Sequence, residues 1–133
     1  MFDSTLIQTK YCIPRANPSV ISRERLLEKL THVLERTLTL VVAPIGYGKT
    51  TAVYEWVEKS GLQAAWLSLD ESDNNSIVFW KYVCAAMEKI LPGIMDRVEY
   101  AFSSQQLLEA NVPINILIDM LARHDGTVVL VID

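Results

Sequence analysis

Ala43-Pro44-Ile45-Gly46-Tyr47-Gly48-Lys49-Thr50 is the stretch whose residue types and spacing point to chemistry. It follows an apolar, β-branched run from Leu38 to Val42. It leads into Thr51-Ala52-Val53-Tyr54-Glu55-Trp56-Val57, which reads as a helix with Val53, Trp56 and Val57 on one side. Strand, glycine-bearing turn, Lys-Thr and helix are the setting of a phosphate-binding loop. Gly46 and Gly48 can take the positive φ values that turn successive backbone N–H groups onto phosphate oxygens. Lys49 is suited to neutralise β- and γ-phosphates, and the Thr50 hydroxyl to hold Mg²⁺, so the ligand expected is ATP with Mg²⁺.

Magnitudes rank these parts. Micromolar nucleotide binding needs about 8 kcal/mol. A helix N-terminus supplies about 0.3–1 kcal/mol, rising to ~2 when partly buried. Hydrogen bonds to charged groups contribute roughly 1.5–3 kcal/mol each. The convergent N–H groups and Lys49 must therefore dominate, with the helix dipole secondary. The general pattern G-x-x-x-x-G-K-[ST] has glycine where Ala43 stands. A small residue serves there if its φ stays negative, because its backbone faces the ligand. The bland alternative is a glycine turn ahead of an amphipathic helix.

A second pattern closes the sequence. Val128 to Ile132 followed by Asp133 looks like a Walker B strand, whose aspartate would hold the Mg²⁺ already touching Thr50, directly or through water. A hydrophobic strand ending in Asp is weak alone and gains weight behind a phosphate loop. Many such ATPases carry a second acid next, to polarise the attacking water. No residue follows Asp133, so no catalytic residue is assigned, and the chain is expected to be a fragment truncated at that strand.

The elements that must position these residues read as α/β. The chain has 133 residues, 50% hydrophobic and 21% charged, which suits one globular domain with a real core. A net charge of −4 argues against a nucleic-acid surface on this segment, yet a local ring of N–H groups and one lysine outweighs it for ATP. Cys12 and Cys84 show no metal or disulfide spacing and read as reduced thiols. With no signal peptide and no membrane-length apolar run, the expected location is cytoplasmic.

Residues 1–19, with Pro14, Asn17 and Pro18, read as an extended arm, and residues 20–133 as the incomplete domain. Ser22 is the expected N-cap of a helix from Arg23 to Arg36 with an apolar face of Leu26, Leu27, Leu30, Val33 and Leu34. His32 reads as a surface or half-buried histidine. After the phosphate-loop strand at Leu38–Val42, the next helix runs to about Lys59, with Gly61 as its stop. Ala64 to Leu69 reads as a strand, joined to the first by a right-handed parallel crossover. Asp70 to Asn75 is a polar loop at that strand's carboxyl end, where ligands of open α/β sheets bind, with Asp73 or Asn74 the expected cap. The following helix, Ser76 to Leu91, carries Phe79, Val83, Ala86, Met87 and Ile90 as a core stripe, and Pro92-Gly93 stops it. Residues 94–112 are vague, with one helix near Ser104 to Glu109. Pro113 opens a helix with Ile114, Leu117, Ile118 and Leu121 on one face and His124 in its last turn. Asp125-Gly126 turns into the final strand.

With both motifs placed, the sequence resembles the N-terminal part of MalT-like, LuxR-family ATP-dependent transcriptional regulators, members of the STAND class of P-loop NTPases. The resemblance is carried by Thr9-Lys10 with Pro14-Arg15, by Val20-Ile21-Ser22-Arg23-Glu24-Arg25-Leu26-Leu27 and by Ala43 to Thr51. Trp66 to Glu71 with Asp73-Asn74, Phe79-Trp80-Lys81-Tyr82 and Val129 to Asp133 complete it. Ala43 fits, since the family resembles A-P-x-G-x-G-K-T. Ser76 stands where the family often has proline.

The resemblance implies an ATP/ADP-controlled signal-transduction switch and a slow ATPase in the full-length protein. It implies a winged-helix region, an effector-binding helical-repeat sensor and a DNA-reading helix-turn-helix beyond this segment. It places Val20, Ile21 and Arg23 near the adenine. It also implies a further strand, later in sequence, between the phosphate-loop and Walker B strands. A piece lacking that strand is expected to self-associate. Two other readings stay open. A metabolic P-loop enzyme such as a small-molecule kinase would need phosphoryl-stabilising arginines, for which Arg97 and Arg123 are candidates, although both read as solvent-facing. A nucleotide-independent interaction domain would merely keep the loop geometry.

Overall fold

The computed structural model describes residues 6–14, 23–35, 42, 44, 46, 48–71, 74–104 and 109–133. The chain forms two compact units, Met1–Ile13 with Gln63–Asp133, and Pro14–Leu62.

The larger unit is α/β. Strand β1 (Gln63–Leu67) and strand β2 (Val128–Ile132) pair in parallel, with Ala65 opposite Leu130 and Leu67 opposite Ile132. A parallel pair needs a long connection, and three helices supply it: α3 (Ser76–Met87), α4 (Ile94–Ser104) and α5 (Asn111–Ala122). Strand alternation turns Ala65 and Leu67 onto the core, 2% and 0% exposed, where they join Val83, Cys84, Ile94, Val98, Phe102 and Leu117. Trp66, between them in sequence, is 1% exposed but outside that cluster, and its Nε1 finds no partner among the described residues.

The helix boundaries follow from capping. Asn75 caps α3 rather than Asn74, Asp73 lying outside the described residues: its Oδ1 accepts from Ile77 N–H at 3.0 Å and Val78 N–H at 3.2 Å. Its extended φ of −85° and ψ of 117° give the geometry an N-cap requires. Asn74 instead donates back to the Glu71 carbonyl at 3.1 Å. The helix expected to reach Leu91 ends at Met87; on it Val83, Ala86 and Met87 are buried and Phe79 half-buried, while Ile90, half-buried, lies in the turn beyond. Lys81 is also buried, its amine 4.4 Å from the Phe102 ring centroid, and burial lowers its pKa.

The vague stretch after Pro92-Gly93 is helix from Ile94 to Ser104; the helix expected near Ser104–Glu109 falls largely on residues 105–108, outside the described residues. Ile94, Met95, Val98 and Phe102 form its buried face. The Glu88 carboxylate reaches across the Pro-Gly turn and accepts from Gly93 N–H at 3.1 Å and Met95 N–H at 2.9 Å, capping α4. Pro113 sits inside the first turn of α5 rather than at its start, where a missing N–H costs nothing. Leu117 is buried on that helix, while Ile118 and Leu121 are exposed. His124 falls beyond the helix end and its Nε2 pairs with Gln63 Oε1 at 2.7 Å, tying the entry of β2 to that of β1.

The expected extended arm is, in its described part, a 3-10 turn at Gln8–Tyr11 that packs on β1 and α3. Hydrogen bonds from Lys10 N–H to the Ile7 carbonyl and from Ser68 N–H to the Lys10 carbonyl shape it and fix it to the end of β1.

In the smaller unit, α1 spans Glu24–Thr31 and tightens into a 3-10 turn at His32–Glu35. Its N-cap is Arg23 rather than Ser22, with no side-chain cap bond. Leu30 is buried, whereas Leu34, expected on the same face, is 51% exposed, because the 3-10 turn shifts it off the α-helical stripe. His32 is exposed, with Nδ1 3.4 Å from Glu35. Helix α2 (Lys49–Ser60) packs on α1, buries Ala52, Trp56 and Val57, and ends at Gly61 in the left-handed conformation, as its sequence predicts.

Candidate functional site

The described part of the phosphate-loop motif is Pro44, Gly46, Gly48, Lys49, Thr50 and Thr51. Ala43, Ile45 and Tyr47 lie outside the described residues, as do Val20 and Ile21 and all of the expected strand but Val42, which is 78% exposed and in no strand.

Both motif glycines have positive φ, +90° at Gly46 and +75° at Gly48. A side chain disfavours that conformation by about 1–2 kcal/mol, so it explains glycine at both positions. A Cβ on Gly46 would meet nothing within 4 Å, leaving the backbone there open to a close approach. Gly48 is the N-cap of α2 and offers no side chain to cap it. The first intrahelical bond runs from Ala52 N–H to the Gly48 carbonyl at 2.9 Å. Lys49 and Thr50 are thus the first two helical residues, half-buried, behind an N-cap that has no side chain to offer. Such a terminus attracts anions.

Arg23 adds a cation. Its guanidinium lies 3.8 Å from where a Gly48 Cβ would stand. With Glu24, Arg25 and Leu26 it lines an open cavity of about 500 Å³. Within one unit, the left-handed Gly48 at the start of α2, directly before Lys49, has the Arg23 guanidinium close by. This donor set fits a phosphate-bearing ligand: main-chain N–H groups and a lysine at a helix start suit its oxygens.

Asp133 belongs to the other unit. Leu69 N–H donates to its carbonyl at 2.7 Å, and its own N–H donates to the Leu67 carbonyl at 2.8 Å, so the β1–β2 ladder runs on past Ile132. That puts Asp133 at the carboxyl edge of the parallel pair, the edge where ligands of open α/β sheets bind. Asp70 is at the same edge, after β1, and pairs with Lys10 at 3.2 Å. The sequence named Lys10 only within a resemblance; nothing in it signals a partner sixty positions away.

Arg97 and Arg123 converge on Asp119 instead of an acceptor pocket, at 2.8 and 3.3 Å. The Arg97 hydrogen bond, reinforced by Arg123, holds the Asp119 carboxyl below its ordinary value. Cys12 and Cys84 are free thiols. No described helix is long and apolar enough to cross a membrane.

Curated relatives align with almost the whole chain. It is 36% identical over 129 residues to the HTH-type transcriptional regulator MalT of Yersinia pestis (strain Pestoides F), covering 96% of this chain and 14% of the relative. The same identity and coverage hold for proteins of that name from Yersinia pseudotuberculosis (strain YPIII) and Yersinia enterocolitica (strain NCTC 13174 / 8081). The chain thus spans 14% of the length of the relatives it matches. No protein-family model matches it.

Proposed function

We propose that this chain, a homologue of the N-terminal part of MalT-like transcriptional regulators, is the ATP-binding module of such a regulator, an ATP/ADP-controlled switch. The observation that carries the reading is the left-handed Gly48 leading directly into Lys49 and Thr50 at the start of α2, with the Arg23 guanidinium beside it.

Each residue then has a task. The N–H groups around Gly46 and Gly48 and those opening α2 receive phosphate oxygens. Lys49 neutralises the β- and γ-phosphates, and Arg23, with Val20 and Ile21, holds the nucleoside side of the site. Thr50 and Asp133 are each assigned to Mg²⁺ by the pattern of their own motif. Bound ATP supplies a hydrolysable phosphoanhydride, and slow turnover resets the switch. By the same homology, DNA and effector binding belong to other parts of the protein, and the cell compartment is the cytoplasm. The kinase reading loses its candidate arginines to Asp119.

The test is nucleotide titration of the full-length protein against its Lys49→Ala variant. Loss of a charged hydrogen-bonding group worth roughly 1.5–3 kcal/mol predicts about 10- to 150-fold weaker binding. Unaltered binding would remove Lys49 from this role, and no binding by the wild type would leave the interaction-domain reading standing.

A further inference from the structure

On the nucleotide reading Arg23 sits on the nucleoside side of the site, and its position decides which part of a nucleotide it meets. Its main chain is fixed as α1 begins: the Arg23 carbonyl accepts from Leu26 N–H and Leu27 N–H, both at 3.0 Å. The residue is exposed. Its side chain nevertheless ends at a definite place, with Nη2 and Cζ 3.8 and 3.9 Å from where a Gly48 Cβ would stand. A long cation on a fixed root therefore lies against the residue directly before Lys49. Helices α1 and α2, which carry the two partners, pack on each other within the smaller unit.

Two parts of a nucleotide use a guanidinium differently. A purine ring wants flat apolar walls with a few placed polar groups. Among the described residues, the cavity beside Arg23 is lined by Glu24, Arg25 and Leu26, one aliphatic side chain among charges. Glu24 stands in the first turn of α1, where that helix's own dipole favours an acid. A phosphate oxygen wants charged donors beside open backbone. Gly48 supplies the backbone, since the guanidinium atoms are all that comes within 4 Å of its Cβ position among the described residues. Arginine supplies the donors, a fork of N–H groups matched to phosphate.

We propose that Arg23 holds the phosphate chain and not the base: it takes the phosphate next to the nucleoside, while Lys49 takes the outer ones. This rests on the nucleotide reading above. Arg23 then makes the site demand a phosphorylated nucleoside and leaves the choice of base to other residues.

The experiment measures ADP and GDP binding to the full-length protein and its Arg23→Gln variant, GDP by competition against ADP, at low and high NaCl. At low salt Arg23→Gln should weaken both nucleotides by the same factor, roughly tenfold for one charge-assisted hydrogen bond. Added salt should shrink that factor, because an exposed charge pair is screened. Arg23→Lys keeps a point charge without the fork, should lose less than Arg23→Gln, and carries the test if Arg23→Gln does not fold. A loss confined to ADP overturns the proposal, since it marks contact with the base. A loss that salt leaves unchanged also overturns it, because it marks a side chain that merely props the Gly48 turn. Unaltered binding in Arg23→Gln overturns it too, while a loss in Lys49→Ala would keep the nucleotide reading. A wild type that binds neither nucleotide overturns both.

Discussion

Placing alanine at Gly48 tests whether the backbone, rather than any side chain, holds the ligand. Gly48 has φ +75° and ψ 32°, the left-handed region. A Cβ there would lie 3.8 Å from the Arg23 guanidinium, an ordinary contact, so overlap adds nothing and the perturbation is confined to the peptide torsions. Alanine in this region carries about 1–2 kcal/mol of strain. In the free protein Gly48→Ala sheds the strain by swinging to negative φ and turning its neighbouring N–H groups aside. Binding must then restore the left-handed turn, and that 1–2 kcal/mol corresponds to about 5- to 30-fold weaker association. Isothermal titration of ADP into the full-length protein reads the change. Gly61 supplies the control, since it ends the same helix at φ +67° with nothing within 4 Å of its Cβ position. Gly61→Ala should carry similar strain and leave nucleotide affinity unchanged. Wild-type affinity in Gly48→Ala, or an equal loss in Gly61→Ala, would refute the backbone cradle.

Two further outcomes concern the larger unit. Burial pushes the Cys84 thiol up to about 12, and its Sγ points at the Pro113 carbonyl, 3.7 Å away; iodoacetamide at pH 8 should alkylate half-buried Cys12 well before Cys84, as read by peptide mapping, and equal rates would contradict the packing. The Arg97 hydrogen bond, then Arg123, depresses the Asp119 pKa below its ordinary 3.8. A depressed acid stabilises the fold above its ordinary pKa and ceases to as pH falls through the lower, folded value. Amide protection across α4 and α5 should therefore hold down to about pH 4 and decline below it, and Asp119→Asn should flatten that decline.

The elements legible in the sequence were those whose signals are local. Strand β2 is a β-branched run behind Asp125-Gly126, α2 stops at Gly61, and α3 carries an unbroken apolar stripe. What escaped depended on residues far apart or on torsions. The period of α4 was present in Ile94, Met95, Val98 and Phe102, but its cap, Glu88, lies on the other side of a Pro-Gly break. Asp73, Asn74 and Asn75 are chemically near-equivalent caps, and only backbone geometry selects Asn75. In the candidate site, the glycines and Lys49 could be read from spacing. The approach of Arg23 to Gly48 and the pairing of Lys10 with Asp70 are long-range contacts that no local pattern encodes.

The indole of Trp66, sealed at 1% exposure with its N–H unpartnered among the described residues, gives the sheet an intrinsic optical probe. An indole denied both water and a hydrogen-bond acceptor emits toward the blue. Any event that admits solvent to the face of β1 opposite Ala65 and Leu67 should redden that emission, so with Trp56 and Trp80 replaced by phenylalanine, fluorescence can follow loosening of this strand without an attached dye.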